Sequence, residues 1–588
     1  MNMRRWIVVF LIGWGGLGYA QQNFVQPDFF RTKRQAPLLD LPIKTQISVA
    51  DFGAIPDDGK DDIGAIDRAI SKAIAKASED RPVELIFEKG IYDLFARDEV
   101  SHAFEIREMK YVVVNGNGAE LVIHNPQSGF VKLLNCKNII FKDMVVDYDP
   151  LPFTQGIVVA LDTINYTFDL KIDEGFPLLS DKQFEISPEV WGVVLDKNTP
   201  GKLKDGVPSL FPDRGWKEVS PGVFRVQHPA KRYTLDMDIG DPYVQIARRN
   251  GRTIFTSYSG ENVTYLNITS YTSPSGSYSA FNHKEWNVIG CKILMREGRQ
   301  HSANADCIHV SGSYIGPWVE NVLFEGYTDD AFNLKSQHRT ILKVISPTDI
   351  VVKYDLKTGD ILRFFNPRKG ILIGEAMVMQ ASHLGQNEYQ VSLSQPIEGL
   401  DRVGEGKRND GAYVDTRACE SFVIRNSTFR NARRYGLNLQ NGYGVIENNI
   451  FENLSQSAIN FGNGVDWGEG LAAHHILIQN NIFKNCGYDD TYLKEYNGAA
   501  VRMKMNKLKN PESKSRWCGV ATADWQGINN IWILNNTFMY NKMAMSIECS
   551  ENIFLQGNRY IHNHADPYRG EELDKLFLDN NSGLINKD

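Results

Sequence analysis

A phrase built on asparagine and paired apolar positions returns along the C-terminal third of the chain. It reads Phe422-Val-Ile-Arg-Asn-Ser-Thr-Phe-Arg-Asn431, then Gly444-Val-Ile-Glu-Asn-Asn-Ile-Phe-Glu-Asn453, then Ile476-Leu-Ile-Gln-Asn-Asn-Ile-Phe-Lys-Asn485. It returns as Ile531-Trp-Ile-Leu-Asn-Asn-Thr-Phe-Met-Tyr-Asn541 and, weaker, over 553–563, with earlier copies at 137–146, 262–269, 287–294 and 321–326. Phe429 to Phe451 is 22 residues and Phe538 to Tyr560 is 22 again, whereas Phe451 to Phe483 is 32, which implies a ten-residue insertion. A period near 22, with short strands and asparagine at the corners, predicts the coil of a right-handed parallel β-helix. Asparagine tolerates the left-handed corner conformation, and its amide can ladder from coil to coil. A leucine-rich repeat would carry a leucine signature that is missing here.

A second strand follows each phrase. Its copies align as 307–311, 331–335, 436–440, 458–462, 500–504 and 544–548. Their second and fourth positions are apolar, so they point into the core, and the third and fifth point out. The outward columns are His309, Asn333, Asn438, Asn460, Arg502, Ser546 and Ser311, Lys335, Gln440, Gly462, Lys504, Glu548. A solvated sheet face would read the same way, but the strip also suits sugar hydroxyls. Two stretches, about 151–250 and 338–416, lack the phrase and alternate apolar with polar residues. They predict two small antiparallel β-barrel or sandwich insertions hung on the helix.

The start of the chain carries Arg4 and Arg5, an apolar run over 6–17 and a small-x-small site at 18–20. This predicts a secretory leader cut after Ala20, and so a secreted or periplasmic protein. Residues 48–77 hold an Asp/Gly-rich turn and a helix with Ile63, Ile66, Ala69, Ile70, Ala73, Ile74 and Ala77 at spacings of three and four. A cap is needed there because an open β-helix end exposes core and unpaired edges. The expected organisation is a leader over 1–20, cap and first coils over 21–150, an inserted barrel over 151–250, and coils over 251–337. A second barrel over 338–416 and C-terminal coils over 417–588 complete it. A net charge of −7 gives no basic excess to hold phosphates, which argues against nucleic acid or a membrane surface as partner. Seven cysteines, with no CxxC or Cys/His spacing, predict neither a disulfide framework nor structural zinc.

Against this frame stand Asn304-Ala305-Asp306 and Thr328-Asp329-Asp330, with 23 residues from Asp306 to Asp329. Asp306 and Asp330 fall at one register in consecutive coils. Adjacent strands lie about 4.8 Å apart, so these carboxylates should be close neighbours. Asp329 sits one step further into the turn. A close pair suits holding and deprotonating a water, and the displaced Asp329 suits protonating the departing oxygen. That arrangement predicts inversion, with acid and base about 6.5–9.5 Å apart. The other acidic pairs, Asp57-Asp58, Asp61-Asp62 and Asp489-Asp490, read as turn or capping residues.

The N-terminal "DFGA" segment resembles the cap of pectin-degrading and related β-helix proteins. "NAD" followed by "DDAFNLK" resembles the polygalacturonase group, whose pattern is Asn-Thr-Asp then Asp-Asp. That likeness implies Asp306 and Asp330 as water-activating bases and Asp329 as the acid. Val501-Arg502-Met503-Lys504 resembles the group's carboxylate-binding Arg-Ile-Lys segment. The chain departs from the group in lacking Gly-His-Gly after the aspartates and in the insertion from about 338. Asn304-Ala305-Asp306-Cys307 and "EGYTDDAFNLKS" at 325–336, with both insertions, more closely resemble glycoside hydrolase family 110. This implies an inverting exo-α-galactosidase that needs no metal or other cofactor and acts on terminal α-1,3-linked galactose, as in blood-group B and linear α-Gal glycans.

The expected carbohydrate contacts are Asn304, His309, Asn333, Lys335, Asn438, Asn460, Arg502 and Lys504. Loops 462–472 and 507–527 add Trp467 and Trp525, each either a sugar platform or a packed indole. The alternatives are a polygalacturonase-like hydrolase, a Ca²⁺-dependent lyase, and a glycan-binding β-helix without turnover. A homodimer paired through the barrels is compatible with the sequence.

Overall fold

The computed structural model describes residues 24–207, 211–212, 215–227, 236–515, 518–561, 576–578 and 584–586. The expected leader and its cut site after Ala20 lie outside the described residues. The coils stack into a right-handed parallel β-helix with three faces. Among the described residues one face is a thirteen-stranded sheet running from Thr45–Ser48 to Leu584–Asn586. The other two have eleven strands each, from His102–Arg107 to Leu576–Leu578 and from Ile91–Leu94 to Arg559–Ile561.

The repeated phrase makes the corner between two faces. Asn426, Asn448, Asn480 and Asn535 take φ of +53°, +57°, +57° and +56°, the left-handed turn that asparagine tolerates. The next residue points inward and ladders. The Asn449 amide N–H donates to Asn481 Oδ1 at 2.9 Å, Asn481 N–H to Asn536 Oδ1 at 2.9 Å, and Asn536 N–H to Asn558 Oδ1 at 3.0 Å. Inside the helix Phe429, Phe451, Phe483, Phe538 and Tyr560 stack with centroids 4.7–5.5 Å apart. Directional amides and stacked rings together fix one register.

The cap helix Ile63–Lys76 buries Ala65, Ile66, Ala69, Ile70 and Ala73 against the first strands. The acidic pairs at the turns are used locally. Asp62 accepts from the Ile55 and Asp93 amides, Asp61 from Ile63 and Phe95, and Asp489 caps the helix Asp490–Tyr496. Residues 24–43, which carry no repeat, lie back across the thirteen-stranded face, where Phe29 stacks on Trp532 and Arg34 donates to the Gly316 carbonyl.

The two insertions differ in closure. The second is a closed six-stranded antiparallel barrel, because Gln337–Ser346 pairs with both Asp349–Lys353 and Gly411–Val414. The first, expected as a barrel too, is a seven-stranded antiparallel sheet whose edges, Phe211–Pro212 and Trp216–Ser220, do not pair with each other among the described residues. It buries its own apolar cluster around Phe168, Phe184, Val194 and Tyr243. All seven cysteines are free and buried.

Asn481 is the central rung of the corner ladder, and its side chain also donates to the Ile446 carbonyl at 2.9 Å. Replacing it with leucine orphans the buried Asn449 N–H. Asn481→Leu is expected to lower stability by about 2–4 kcal/mol, read from the denaturant midpoint.

Candidate active site

The register expected for the aspartates is the one found. Ile308 pairs with Phe332 and His309 with Asn333, and the Cys307 N–H donates to the Asp330 carbonyl at 2.9 Å. Asp306 and Asp330 therefore stand just before the adjacent strands Ile308–Ser311 and Phe332–Lys335, and the Asp330 N–H donates to Asp306 Oδ1 at 3.2 Å. Asp329 does not stand apart, however. One oxygen from each of the three carboxyls lies within 4.8 Å of the others, so the expected acid–base separation of about 6.5–9.5 Å is not found.

Two arginines account for the contraction. Arg248 Nη1 donates to Asp329 Oδ2 at 2.8 Å. Arg434 Nη1 donates to Asp329 Oδ1 while its Nε lies 3.3 Å from Asp330 Oδ1, so one guanidinium draws both carboxyls together. Sequence reasoning missed both. Arg248 comes from the first inserted sheet, held over Trp191 at 4.8 Å and 3.4 Å from Glu189. Arg434 lies in the turn before the strand Leu437–Gln440, one coil after the aspartates. Its neighbour Arg433 is spent on the Thr328 carbonyl at 2.6 Å.

The three aspartates are buried to different degrees, with 8%, 5% and 1% of Asp306, Asp329 and Asp330 exposed. Burial alone would raise Asp329, but Arg434, Arg248 and Arg433 more than offset it and hold this carboxyl well below the usual range. Asp330 goes the other way. Burial pushes it up, the charges of Asp306 and Asp329 add to that, and Arg434 and the Asn438 amide offset only part. These surroundings favour Asp329 as the anion and a proton on Asp330.

His309 Nδ1 lies 2.7 Å from Asp306 Oδ2 and orients that carboxyl. Asn333 and Asn438 reach Asp330 Oδ2 at 3.3 and 2.9 Å. The remaining expected contacts are committed elsewhere. Asn304 is fully buried and donates to the Pro152 and Ala247 carbonyls at 2.9 and 3.2 Å, pinning both ends of the first insertion to the aspartate coil. Asn460 donates to Asn438, and Arg502 to Asn460. Lys335 is paired with Glu469, and Lys504 Nζ lies 3.6 Å from Glu548. Trp525 packs between the helix core and Phe365, with Arg363 over its ring at 5.4 Å, as a packed indole and not an open platform. Trp467 remains at the rim, 44% exposed, under Lys407 at 4.9 Å.

Loop 462–472 covers the strip because Gly470 lets it lie flat. A Cβ there would come within 2.7 Å of Gln440 and 2.9 Å of the Lys335 Cβ. The loop brings Glu469 to Lys335. Burial would raise Glu469, and Lys335 and His309 bring it below its ordinary value. Three clustered carboxylates invite a divalent cation, but this donor set does not fit calcium. Calcium asks for about six to eight oxygens, whereas Arg248 and Arg434 already occupy both Asp329 oxygens.

The raised Asp330 has a thermodynamic sign. A carboxyl lifted in the folded state lowers stability once pH exceeds its unfolded value, and the loss is complete above its folded value. Asp330→Asn is expected to raise the thermal midpoint at pH 7, by an amount equivalent to about 0.5–2 kcal/mol. The gain should vanish as pH falls through the folded Asp330 titration toward the ordinary carboxylate range. Midpoints measured from pH 4 to 8 check this.

A family model described as "Right handed beta helix region" matches residues 411–570. Alpha-1,3-galactosidase B of Bacteroides thetaiotaomicron is 24% identical over 575 residues, covering 89% of this chain and 88% of that protein. Alpha-1,3-galactosidase A of Shewanella woodyi is 23% identical over 588 residues, covering 93% and 90%. Among solved structures, a family 28 exopolygalacturonase of Yersinia enterocolitica matches with a TM-score of 0.42 and 11% identity, covering 90% of this chain and 78% of that one. With these galactosidase relatives matching over most of its length, the chain is a glycoside hydrolase, and its likeness is to family 110.

Proposed function

We propose that this protein is an inverting exo-α-1,3-galactosidase that removes terminal galactose from blood-group B or linear α-Gal glycans. The observation that carries the reading is the buried triad Asp306, Asp329 and Asp330, braced by Arg248 and Arg434, in a chain alike to α-1,3-galactosidases over about nine tenths of its length. Asn333 Oδ1 and Gln440 Oε1 are buried acceptors without a hydrogen-bond donor, which suits a ligand rich in hydroxyl groups.

Asp306 and Asp330 hold the attacking water between adjacent coils. Burial and like charge raise Asp330 toward the working pH, as a general base requires. Asp329 is the acid and must carry a proton in that role. As the entering glycosidic oxygen takes the place of the Arg434 guanidinium, whose side chain is 32% exposed, the proton favoured on Asp330 passes to the neighbouring Asp329, which leaves Asp330 ionised as the base. Inversion rests on three carboxylates doing the work of two, with a water held by a pair instead of in a wide gap. The arginine-braced triad also supports acid–base hydrolysis over a Ca²⁺-dependent lyase. Lys335, Arg502 and Lys504 are already paired, which favours a neutral sugar over a uronate polymer. Acceptor choice falls to loop 462–472 and the barrel loop 402–409, which border a cavity of about 410 Å³. Export with cleavage after Ala20 belongs to the same reading. Among the described residues no helix is long and apolar enough to cross a membrane.

A panel of branched blood-group B, linear α-Gal and polygalacturonate substrates tests the assignment, with galactose released from the first two and nothing from the third. Proton NMR of the first product should show β-galactose, and an initial α signal refutes inversion. Asp329→Asn should lose about 10²–10⁴-fold on natural linkages. It should recover on an aryl galactoside whose leaving group needs no proton, whereas Asp330→Asn should not. Rescue of Asp330→Asn instead would exchange the two roles.

A further inference from the structure

The third-position column is a directed hydrogen-bond chain that ends on Asp330. Asn438, Asn460 and Arg502 occupy successive coils in register. Arg502 Nη1 donates to Asn460 Oδ1 at 2.9 Å, Asn460 Nδ2 to Asn438 Oδ1 at 3.0 Å, and Asn438 Nδ2 to Asp330 Oδ2 at 2.9 Å. All four side chains are more than nine-tenths buried.

The direction of this chain is dictated from its arginine end. A guanidinium only donates, so the Asn460 atom facing it is the oxygen, and the amide of Asn460 must face Asn438. The same step repeats at Asn438, which leaves its N–H₂ on Asp330. At the other end a protonated Asp330 can offer Asn438 either a donor or an acceptor, so while Asp330 holds its proton Arg502 alone fixes the polarity that the ionised form needs. Arg502 is itself anchored, donating Nε–H to the Tyr496 carbonyl at 2.9 Å, with its guanidinium 6.0 Å from the Tyr492 ring. Without a donor-only residue at position 502, Asn460 and Asn438 are free to flip and present an oxygen to Asp330.

We propose that Arg502 is a positioning residue for Asp330, acting across three coils through Asn460 and Asn438, and not a substrate ligand. The inference rests on the reading of Asp330 as a base in glycoside hydrolysis. The groups facing Asp330 are Asp306 from the preceding coil, Asp329 in its own turn, Arg434 and Arg433 from the following turn, and the Asn333 and Asn438 amides. Two carboxylates push it toward the protonated form. The chain holds an N–H on it and keeps it able to ionise.

The test is the pH dependence of kcat/KM on an α-1,3-galactoside for wild type, Arg502→Met, Arg502→Lys and Asn460→Leu. Losing a donor to Asp330 makes it harder to ionise, so the acidic limb should move up by about one pH unit in Arg502→Met. Activity below that limb should fall about tenfold while the neutral plateau changes far less. Asn460→Leu, which leaves the Arg502–Tyr496 bond in place, should shift the limb equally, and Arg502→Lys should restore it. An unmoved limb in both Arg502→Met and Asn460→Leu overturns the proposal, as does a fall of equal size at every pH. A neutron crystal structure of Arg502→Met, which distinguishes the amide N–H₂ from its oxygen, supplies a readout independent of turnover. The Asn438 oxygen turned onto Asp330 supports the chain, and an N–H₂ still on Asp330 refutes it. If the wild type releases no galactose, the functional reading fails and this structure still decides the chain.

Discussion

Lateral register between coils governs this molecule. A parallel ladder places each residue about 4.8 Å from its counterpart one coil on, so whatever recurs in the sequence at the coil period becomes a contact in space. The Phe429-to-Tyr560 stack and the Asn449-to-Asn558 ladder are the inner and corner expressions of that rule, and they hold the register in return. The proximity of Asp306 and Asp330 is its chemical expression. Two carboxylates would not stay together in a flexible loop, where repulsion would part them. Here the backbone of two paired strands holds them, with the Asp330 N–H bonded to Asp306.

That constraint creates a charge problem, and the answer comes from outside the coil. Arg248 arrives from the inserted sheet and Arg434 from the following turn, and together they place two guanidinium groups against a nearly dry acidic cluster. The first insertion is thus part of the site, clamped by Asn304 through the carbonyls of Pro152 and Ala247 at its two ends. The clamp puts Arg248 where it is needed. Opposing environments across one Asp-Asp pair, arginines on Asp329 and like charge on Asp330, separate the two carboxyls that the sequence writes side by side.

Much of this was legible before the fold was known. The Asn phrase gave the β-helix, inside–outside alternation gave the two polar columns, and the same alignment put Asp306 beside Asp330. The identity of the column residues was right and their availability was not. Asn438, Asn460 and Arg502 lie at the expected positions but bond to one another, and Lys335 and Lys504 lie against Glu469 and Glu548. Alternation says which way a side chain points. It does not say what will be lying over it, and here loop 462–472 folds back across the strip on Gly470. Trp525 shows the same limit, since a tryptophan in a groove-side loop becomes packing once the second barrel rests against it.

The sequence by itself determined the coil, its corners, the register and therefore the neighbourhood of Asp306 and Asp330, because all of these depend on local periodicity and on strands of fixed spacing. Only the tertiary structure decided which carboxyl is held as an anion and which is pushed toward its proton. Those states depend on Arg248, 81 positions before Asp329, and Arg434, 105 positions after it. Neither belongs to the repeat that carries the aspartates, so no pattern at the coil period could announce them. They reach Asp329 only because an inserted sheet and the turn of a later coil pack against the same few ångströms of the helix.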